Sequence, residues 1–130
     1  MTGGTERMWA DDAASRMLGM RLVEQSAGHA VVSMVVRDDM LNGYGICHGG
    51  LVAALADSAF ALACNSHGVV TVASGFDVSF LEPGRPGDEL VAAAREVSSR
   101  GRSGIYDVTV RRAADHVVLA EFRGRSRALR

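Results

Sequence analysis

The chain has 130 residues, of which 48% are hydrophobic and 22% charged, and its formal net charge at pH 7 is -1. This length and composition fit one globular domain with a modest core and exclude a second domain. The nearly balanced charge gives no electrostatic reason to expect binding to nucleic acid or to an acidic membrane surface. We therefore predict a single domain over residues 1–130, with its core at about residues 12–126.

The first part of the chain predicts a short helix followed by a hairpin. Apolar residues recur with helical spacing over residues 6–18, and Gly19 follows as a left-handed cap. Residues 20–25 and 30–36 are rich in β-forming side chains, and turn-forming residues separate them. Residues 38–45 contain an Asn-Gly pair and a further glycine, which indicates a loop.

Residues 48–66 form a run with almost no polar face, which is typical of a helix that is enclosed on most sides. The run approaches the length of a membrane span. However, Asp57 interrupts it, it is rich in alanine, and its flanks are polar. We therefore predict a buried central helix rather than a membrane segment.

Strand patterns occupy the rest of the chain, at residues 71–80, 89–97, 105–112 and 116–122. A long turn at residues 81–88 contains both prolines. With the preceding hairpin, these strands predict an α+β fold. Its antiparallel sheet of about six strands is wrapped around the long central helix, and a short N-terminal helix precedes it.

Asp57 is the first candidate for chemistry, because it lies in the middle of the apolar run. A carboxylate among hydrocarbon side chains loses solvation, which destabilises its charged form. A purely structural acid, bonded to a loop, is the alternative interpretation. We favour a functional role, since the rest of the predicted helix is so apolar and perturbed acids cluster at functional sites.

Gly49 and Gly50 stand at the start of the predicted central helix. The first turn of a helix has backbone N–H groups without partners, and glycines let another molecule approach them. Such a place suits a carbonyl oxygen that acquires negative charge. A Gly-Gly pair alone favours the other interpretation, in which the glycines permit tight packing of the helix start against the sheet.

Eight residues separate Gly49 from Asp57, which is about 12 Å of rise along a continuous helix. One chain therefore does not easily place both against the same small reacting group. If they cooperate, the carboxylate belongs to a second copy whose helix runs antiparallel to the first. An enzyme of this kind is an obligate dimer with two shared sites.

Asn42 and His48 flank this helix start, and each has a functional and a structural interpretation. Asn42 either orients a water or a substrate carbonyl or stabilises the Asn-Gly turn, and the spacing alone favours the turn. His48 either acts as a base or bonds a nearby backbone carbonyl, and the structural role is the more common one.

Cys47, His48, Cys64 and His67 are residue types that bind metals. The first two and the last two lie at opposite ends of the predicted helix, about 25 Å apart, so they do not share one ion within a chain. The same separation excludes a disulfide. We predict no metal and no other cofactor.

The N-terminal residues lack an apolar stretch, so a reducing cytoplasm is the expected location.

Several motifs together resemble one protein family. They are Leu41-Asn42-Gly43, Cys47-His48-Gly49-Gly50, residues 55–61, Ala63-Cys64-Asn65-Ser66 and Phe80-Leu81-Glu82-Pro83-Gly84. The likeness covers nearly the whole chain, and the asparagine, the His-Gly-Gly motif and the aspartate keep their identity and spacing. The chain resembles the hotdog-fold acyl-CoA thioesterases, in particular those of bacterial phenylacetate degradation.

This resemblance implies hydrolysis of a coenzyme A thioester, with phenylacetyl-CoA or hydroxyphenylacetyl-CoA as expected substrates. It implies that Asp57 is the nucleophile or general base, that the Gly49 N–H polarises the thioester carbonyl and that Asn42 positions water or substrate. His48 and Gly50 are then expected to contact the substrate. The family's dimer builds each site from two chains and often pairs into a tetramer.

Two other functions remain open. A hotdog dehydratase acting on acyl thioesters shares the architecture, but it pairs a catalytic histidine with the acid. A non-catalytic acyl-CoA binding module is the second, and it does not explain why Asp57 is buried.

The arginine-rich stretches at Arg100 and Arg123 are weak candidates for binding a phosphate group.

Overall fold

The computed structural model describes residues 3–129, and it begins with two short helices where the sequence predicted one. Helix α1 spans Gly3–Ala10 and α2 spans Ala13–Met17. The break occurs because Asp12 caps α2, its Oδ1 accepting from the Ser15 N–H at 3.0 Å. The prediction of one helix over residues 6–18 was therefore wrong. Gly19 has a φ of 70° after the second helix, as its expected role as a left-handed cap requires.

The predicted hairpin is present. Strand β1 (Arg21–Ser26) pairs antiparallel with β2 (His29–Val35), and Gly28 takes a φ of 71° in the turn between them. The N–H of Gly28 donates to Ser66 Oγ at 2.8 Å. This bond ties the hairpin turn to the chain that follows the central helix.

Helix α3 spans Gly49–Cys64 and is the long central helix. Its buried residues are Val52, Leu55, Ala56, Ala59, Phe60, Leu62, Ala63 and Cys64. The helix is shorter than predicted at both ends. His48 has an extended backbone and is the N-cap, while Asn65 ends the helix and exchanges two hydrogen bonds of 2.9 Å with the backbone of Thr71. These bonds fix the start of the next strand.

Four long strands complete the sheet: β3 (Thr71–Phe80), β4 (Glu89–Arg100), β5 (Ser103–Arg112) and β6 (Val118–Ala128). Within residues 3–129 the sheet has six strands in the order β1-β2-β4-β5-β6-β3, all antiparallel. Strand β3 therefore lies at the edge beside β6, although β4 follows it in the chain.

The last three strands are longer than the sequence predicted. The β4–β5 ladder continues to the pair Arg100 and Ser103, and Gly101, with a φ of 58°, makes the turn. The prediction ended at the polar residues near this turn. Polar side chains at a sheet margin remain in water while their backbone continues the ladder, so polarity is a poor marker of strand ends here.

The core lies between α3 and the concave face of the sheet. The ring of Phe60 packs against Tyr106 and Phe122, with centroids 5.6 and 5.8 Å apart. A Cβ on Gly124 would lie 2.8 Å from the Phe60 ring, so glycine is required there for the helix to reach the sheet. None of the helices in residues 3–129 is long and apolar enough to cross a membrane.

Candidate active site at the start of the central helix

A cavity of about 360 Å³ lies where the loop before α3, the first turn of α3 and the end of β3 meet. Its lining residues are Asn42, Ile46, Cys47, Gly49, Val52, Phe80, Leu81, Glu82, Pro83 and Gly84. Most of these side chains are apolar, with a few polar groups among them. This composition is typical of a small-molecule site.

The start of α3 presents unpaired hydrogen-bond donors. Within residues 3–129, the backbone N–H groups of Gly49 and Gly50 have no hydrogen-bond partner, and the His48 side chain does not cap the helix. These N–H groups carry the positive end of the helix dipole. Gly49 is one of the residues that line the cavity, and an unpaired N–H at a helix start is a donor of the kind that suits an oxyanion.

Gly49 also has a packing role. A Cβ at this position would lie 3.1 Å from Cζ of Phe80, so the phenyl ring occupies the place of a side chain. The packing interpretation of the glycine and the oxyanion interpretation are therefore compatible at the same residue. The ring and the N–H both belong to the wall of the cavity.

Asn42 organises the loop with its side-chain oxygen. Asn42 Oδ1 accepts from the N–H of Tyr44 at 2.9 Å and from the N–H of Ile46 at 3.4 Å. In the described part of the chain, its Nδ2 group has no hydrogen-bond partner, and the residue lines the cavity. The side-chain oxygen therefore stabilises the turn, while the amide N–H₂ group remains available to a ligand.

Asp57 lies two helical turns further along α3 and does not line this cavity. Burial raises the pKa of its carboxyl group above the usual value, and the negative charge of Asp12 raises it further. Among the residues that the structure describes, none forms a hydrogen bond or ion pair with the Asp57 side chain. The hydrogen bond to a loop that a structural acid requires is thus not present within residues 3–129.

One chain brings only part of the predicted site together. Asn42 and Gly49 share the cavity, whereas His48 and Gly50 are exposed at the helix start and outside its lining. Asp57 is about 12 Å from Gly49 along the helix axis. The separation of the acid from the oxyanion donor, which the spacing predicted, is present in the fold.

The cavity includes residues that the sequence analysis quoted as a motif but did not assign to the site. Phe80 ends β3, Leu81, Glu82 and Pro83 follow it, and all four line the cavity although they are far from the helix start in the chain. The Cys47 N–H donates to the Gly84 carbonyl at 2.8 Å, which holds this turn against the loop before α3. A proline turn after a strand was visible in the sequence, but only the fold brings it to the helix.

The two cysteines are free and buried, and the pKa of each thiol is raised. Burial raises the pKa of the Cys47 thiol, and burial together with the charge of Asp57 raises that of Cys64 to about 12. Cys47 and Cys64 flank opposite ends of α3, and both are free. Residues 3–129 contain no group of three or more His, Cys, Asp or Glu side chains arranged to hold a metal ion.

The arginine-rich stretches differ in their partners. Arg123 forms two hydrogen bonds with Asp107, at 2.7 and 2.9 Å, so its charge is already neutralised. Over residues 3–129, Arg100 and Arg102 have no acidic partner, and Arg102 lines a separate cavity of about 170 Å³. The stretch at Arg100 is thus the freer of the two to meet an anion.

Comparison with known proteins identifies the family. The sequence pattern of the thioesterase superfamily matches residues 44–119, a segment that includes the central helix and strands β3, β4 and β5. The chain belongs to this superfamily. This thioesterase is 43% identical to the acyl-coenzyme A thioesterase PaaI of Escherichia coli over 119 residues, which cover 92% of the chain and 84% of that protein. A putative esterase of Archaeoglobus fulgidus is 36% identical over 111 residues, covering 85% and 72%.

Solved structures give the same assignment. The structure of E. coli PaaI, from the phenylacetic acid degradation operon, superposes with a TM-score of 0.94 at 40% identity, covering 96% of this thioesterase and 90% of that chain. The Streptococcus mutans protein smu.793, solved with bound acetyl-CoA, superposes with a TM-score of 0.80 at 28% identity, covering 84% and 87%. The predicted hotdog fold is confirmed.

Proposed function

We propose that this thioesterase hydrolyses aryl-acyl-CoA thioesters, with phenylacetyl-CoA or hydroxyphenylacetyl-CoA as substrate, to the free acid and coenzyme A. The observation that carries the proposal is the unpaired Gly49 N–H in an apolar cavity that also contains Asn42. The E. coli relative is named an acyl-CoA thioesterase, and the S. mutans relative was solved with acetyl-CoA.

The first chemical step uses the start of α3. The thioester carbonyl oxygen accepts from the Gly49 N–H, and the helix dipole stabilises the negative charge that develops on it. The exposed groups of His48 and Gly50 at the same helix start contact the substrate. The apolar wall that Phe80 and Leu81 contribute receives the acyl part.

Asp57 supplies the second step, by one of two routes. In the first, its carboxylate oxygen forms a bond with the carbonyl carbon and the coenzyme A thiolate leaves, which gives a mixed anhydride that water then hydrolyses. In the second, Asp57 takes a proton from a water molecule that the Asn42 amide holds, and this water displaces the thiolate. A desolvated carboxylate with a raised pKa is suited to both routes.

A homodimer completes each site, with Asp57 from one protomer and Gly49 and Asn42 from its partner. Two observations support this arrangement. Asp57 and the cavity are separate within one chain. Strand β3 has ten residues, lies at the sheet edge and exposes Phe76 and Phe80 by 41% and 51%. A long apolar edge strand usually has a covering partner, and a second β3 running antiparallel provides one.

Two wider features belong to the same proposal. The dimers pair into a homotetramer, and the protein works in the cytoplasm, where its two free buried cysteines stay reduced. Residues 1–130 act as one hotdog domain, with the core at about residues 12–126. Analytical ultracentrifugation tests the tetramer independently of activity.

Release of free thiol from acyl-CoA substrates tests the function. Phenylacetyl-CoA and hydroxyphenylacetyl-CoA are expected to give higher kcat/KM than benzoyl-CoA and straight-chain acyl-CoA. Asp57→Asn is expected to lower kcat by about 10²–10⁴-fold with the fold and dimer retained, while Asp57→Glu keeps part of the activity. A fully active Asp57→Ala enzyme would remove the proposed role.

The same assay separates the two rivals. Hydration of an enoyl thioester without thiol release identifies a dehydratase. Tight binding of acyl-CoA with neither reaction identifies a binding module. Either result contradicts the proposed hydrolysis.

A further inference from the structure

The start of helix α2 contacts α3 beside Asp57, through a chain of three side chains that the proposed mechanism does not use. Asp12 Oδ2 accepts from Ser15 Oγ at 2.7 Å, and Asp12 Oδ1 accepts from the Ser15 N–H at 3.0 Å. Ser15 Oγ in turn lies 2.7 Å from the hydroxyl of Ser58, the residue that follows Asp57. We call Asp12, Ser15 and Ser58 the α2 relay.

The directions of these bonds follow from the donors available. A carboxylate only accepts, so Ser15 uses its one hydroxyl proton on Asp12. Ser58 must therefore donate to Ser15. Ser15, at the centre of this connection between the two helices, is only 2% exposed, and Ser58 is partly buried. The three groups form one ordered chain that ends at a fixed negative charge.

We propose that Asp12 is a positioning residue for the reaction, and that the α2 relay holds its negative charge at a fixed place close to Asp57. The proposal rests on the proposed catalytic role of Asp57. It assigns a function to the N-terminal helices, whose residues contribute nothing to the cavity at the start of α3.

The charges around Asp57 support this role. Burial and the Asp12 carboxylate both raise the pKa of Asp57. On α3 itself, Cys64 is the neighbouring titratable group, and its thiol, with a pKa raised to about 12, is neutral at physiological pH. Within the described residues no cation lowers the pKa of Asp57 against the effects of burial and of the Asp12 charge. Asp12 is thus the charge through which α2 acts on the catalytic acid.

The consequence for the reaction is a stronger base or nucleophile. A carboxylate with a higher pKa takes a proton from water more readily and attacks a carbonyl carbon more effectively, as long as it is ionised at the working pH. Removing the Asp12 charge is therefore expected to move the acidic limb of the kcat/KM profile to lower pH. The same change lowers the rate on the plateau, where Asp57 is fully ionised.

Asp12→Asn tests the inference in the full-length enzyme. Asparagine is as good an N-cap as aspartate, so the first turn of α2 is retained while the charge is removed. The matched control is Asp11→Asn, which removes the same charge from the adjacent exposed residue outside the α2 relay. The main readout is the Asp57 titration, followed by the ¹³C NMR signal of its carboxyl group, which needs no turnover.

We expect Asp57 to titrate at lower pH in Asp12→Asn than in the wild type and in Asp11→Asn, with the kcat/KM limb moving in the same direction. Ser15→Ala, which frees the Asp12 carboxylate, is expected to change the titration in the same sense but less. An Asp57 titration that is unchanged in both Asp12→Asn and Ser15→Ala overturns the inference. Full activity of Asp57→Asn instead refutes the proposed function, so the two failures are distinguishable.

Discussion

Asp57 is held in an environment that opposes its own charge. Burial and the Asp12 carboxylate raise its pKa, and the chain offers it no compensating hydrogen bond within residues 3–129. A carboxyl group whose pKa is higher in the folded than in the unfolded state binds protons more tightly when folded. Its ionisation therefore destabilises the fold. The proposed catalytic role gives a reason for keeping such a residue at this cost in stability.

Asp57→Asn is expected to raise the melting temperature at neutral pH, because it removes this unfavourable ionisation. The sign follows from the raised pKa: the acid's contribution to stability is fully present below its unfolded pKa and is lost as the pH rises through its higher folded pKa. The difference in melting temperature between Asp57→Asn and the wild type should shrink as the pH falls towards 4. Thermal unfolding from pH 4 to 8 measures it, and a variant that is less stable than the wild type at pH 8 contradicts it.

Asn42 has two separable groups, since Oδ1 holds the loop, whereas Nδ2 has no hydrogen-bond partner within residues 3–129. Asn42→Asp keeps the acceptor for the Tyr44 and Ile46 N–H groups and removes the donor. We expect it to lower kcat by at least tenfold with little change in melting temperature. Asn42→Ala loses both groups, so turnover and some stability should fall. A large loss of stability in Asn42→Ala with unchanged kinetics would leave only the turn role.

At the scale of elements, the first turn of α3 is the part of the chain in which packing and chemistry overlap. Two adjacent glycines occupy it, yet their surroundings differ. A side chain at Gly49 would meet the ring of Phe80, whereas one at Gly50 would have only the His48 ring within 4 Å, at 3.7 Å. The two positions therefore allow the packing role to be separated from the ligand role.

Gly50→Ala is expected to stabilise the protein by about 0.5–1 kcal/mol, because alanine loses less backbone entropy than glycine in a helix. Gly49→Ala is expected to lower kcat/KM, since its methyl group displaces Phe80 and obstructs the N–H. Denaturant unfolding and thiol release measure the two effects. If Phe80→Leu restores the activity of Gly49→Ala, the missing side chain at Gly49 is needed only for packing against Phe80; continued impairment supports ligand access to the N–H.

The N-terminal helices show how a local bond changes an element. Apolar spacing over residues 6–18 is continuous, but the Asp12 side chain competes for the Ser15 N–H and starts a second helix. An aspartate inside a helical pattern is ambiguous between an exposed helical residue and a cap. The hydrogen bond between the hydroxyls of Ser15 and Ser58 resolves the ambiguity. It joins α2 to α3 and forms only in the folded chain.

For the whole molecule, the central expectation is that each active site is shared. Co-expressing Asp57→Asn with Asn42→Asp, each with a different affinity tag, yields heterodimers. In these, one site carries both changes and the other carries neither. We expect purified heterodimers to have about half the wild-type activity, although both parent homodimers are nearly inactive. Heterodimers no more active than the parents would show that the groups act within one chain.

Much of the fold and part of the site could be predicted from the sequence. A continuous apolar run indicated the long buried helix, and stretches of β-forming residues between turn signals indicated all six strands, because burial and turns leave these patterns in the chain. The predicted ends were less accurate, as at Arg100, where polar side chains continue the ladder. Asp57, Gly49 and Asn42 were selectable because a buried acid, a glycine helix start and an Asn-Gly turn are local features.

The sequence by itself determined which residues are candidates for chemistry, since the loss of solvation around Asp57 and the unpaired donors at Gly49 follow from their immediate neighbours. Only the tertiary structure decided what surrounds them. It placed β3 at the sheet edge, brought Phe80 to the start of α3 and set Asp12 near Asp57. These contacts join residues that are distant in the chain. Their free energy depends on how whole elements pack, and a local sequence pattern does not predict that packing.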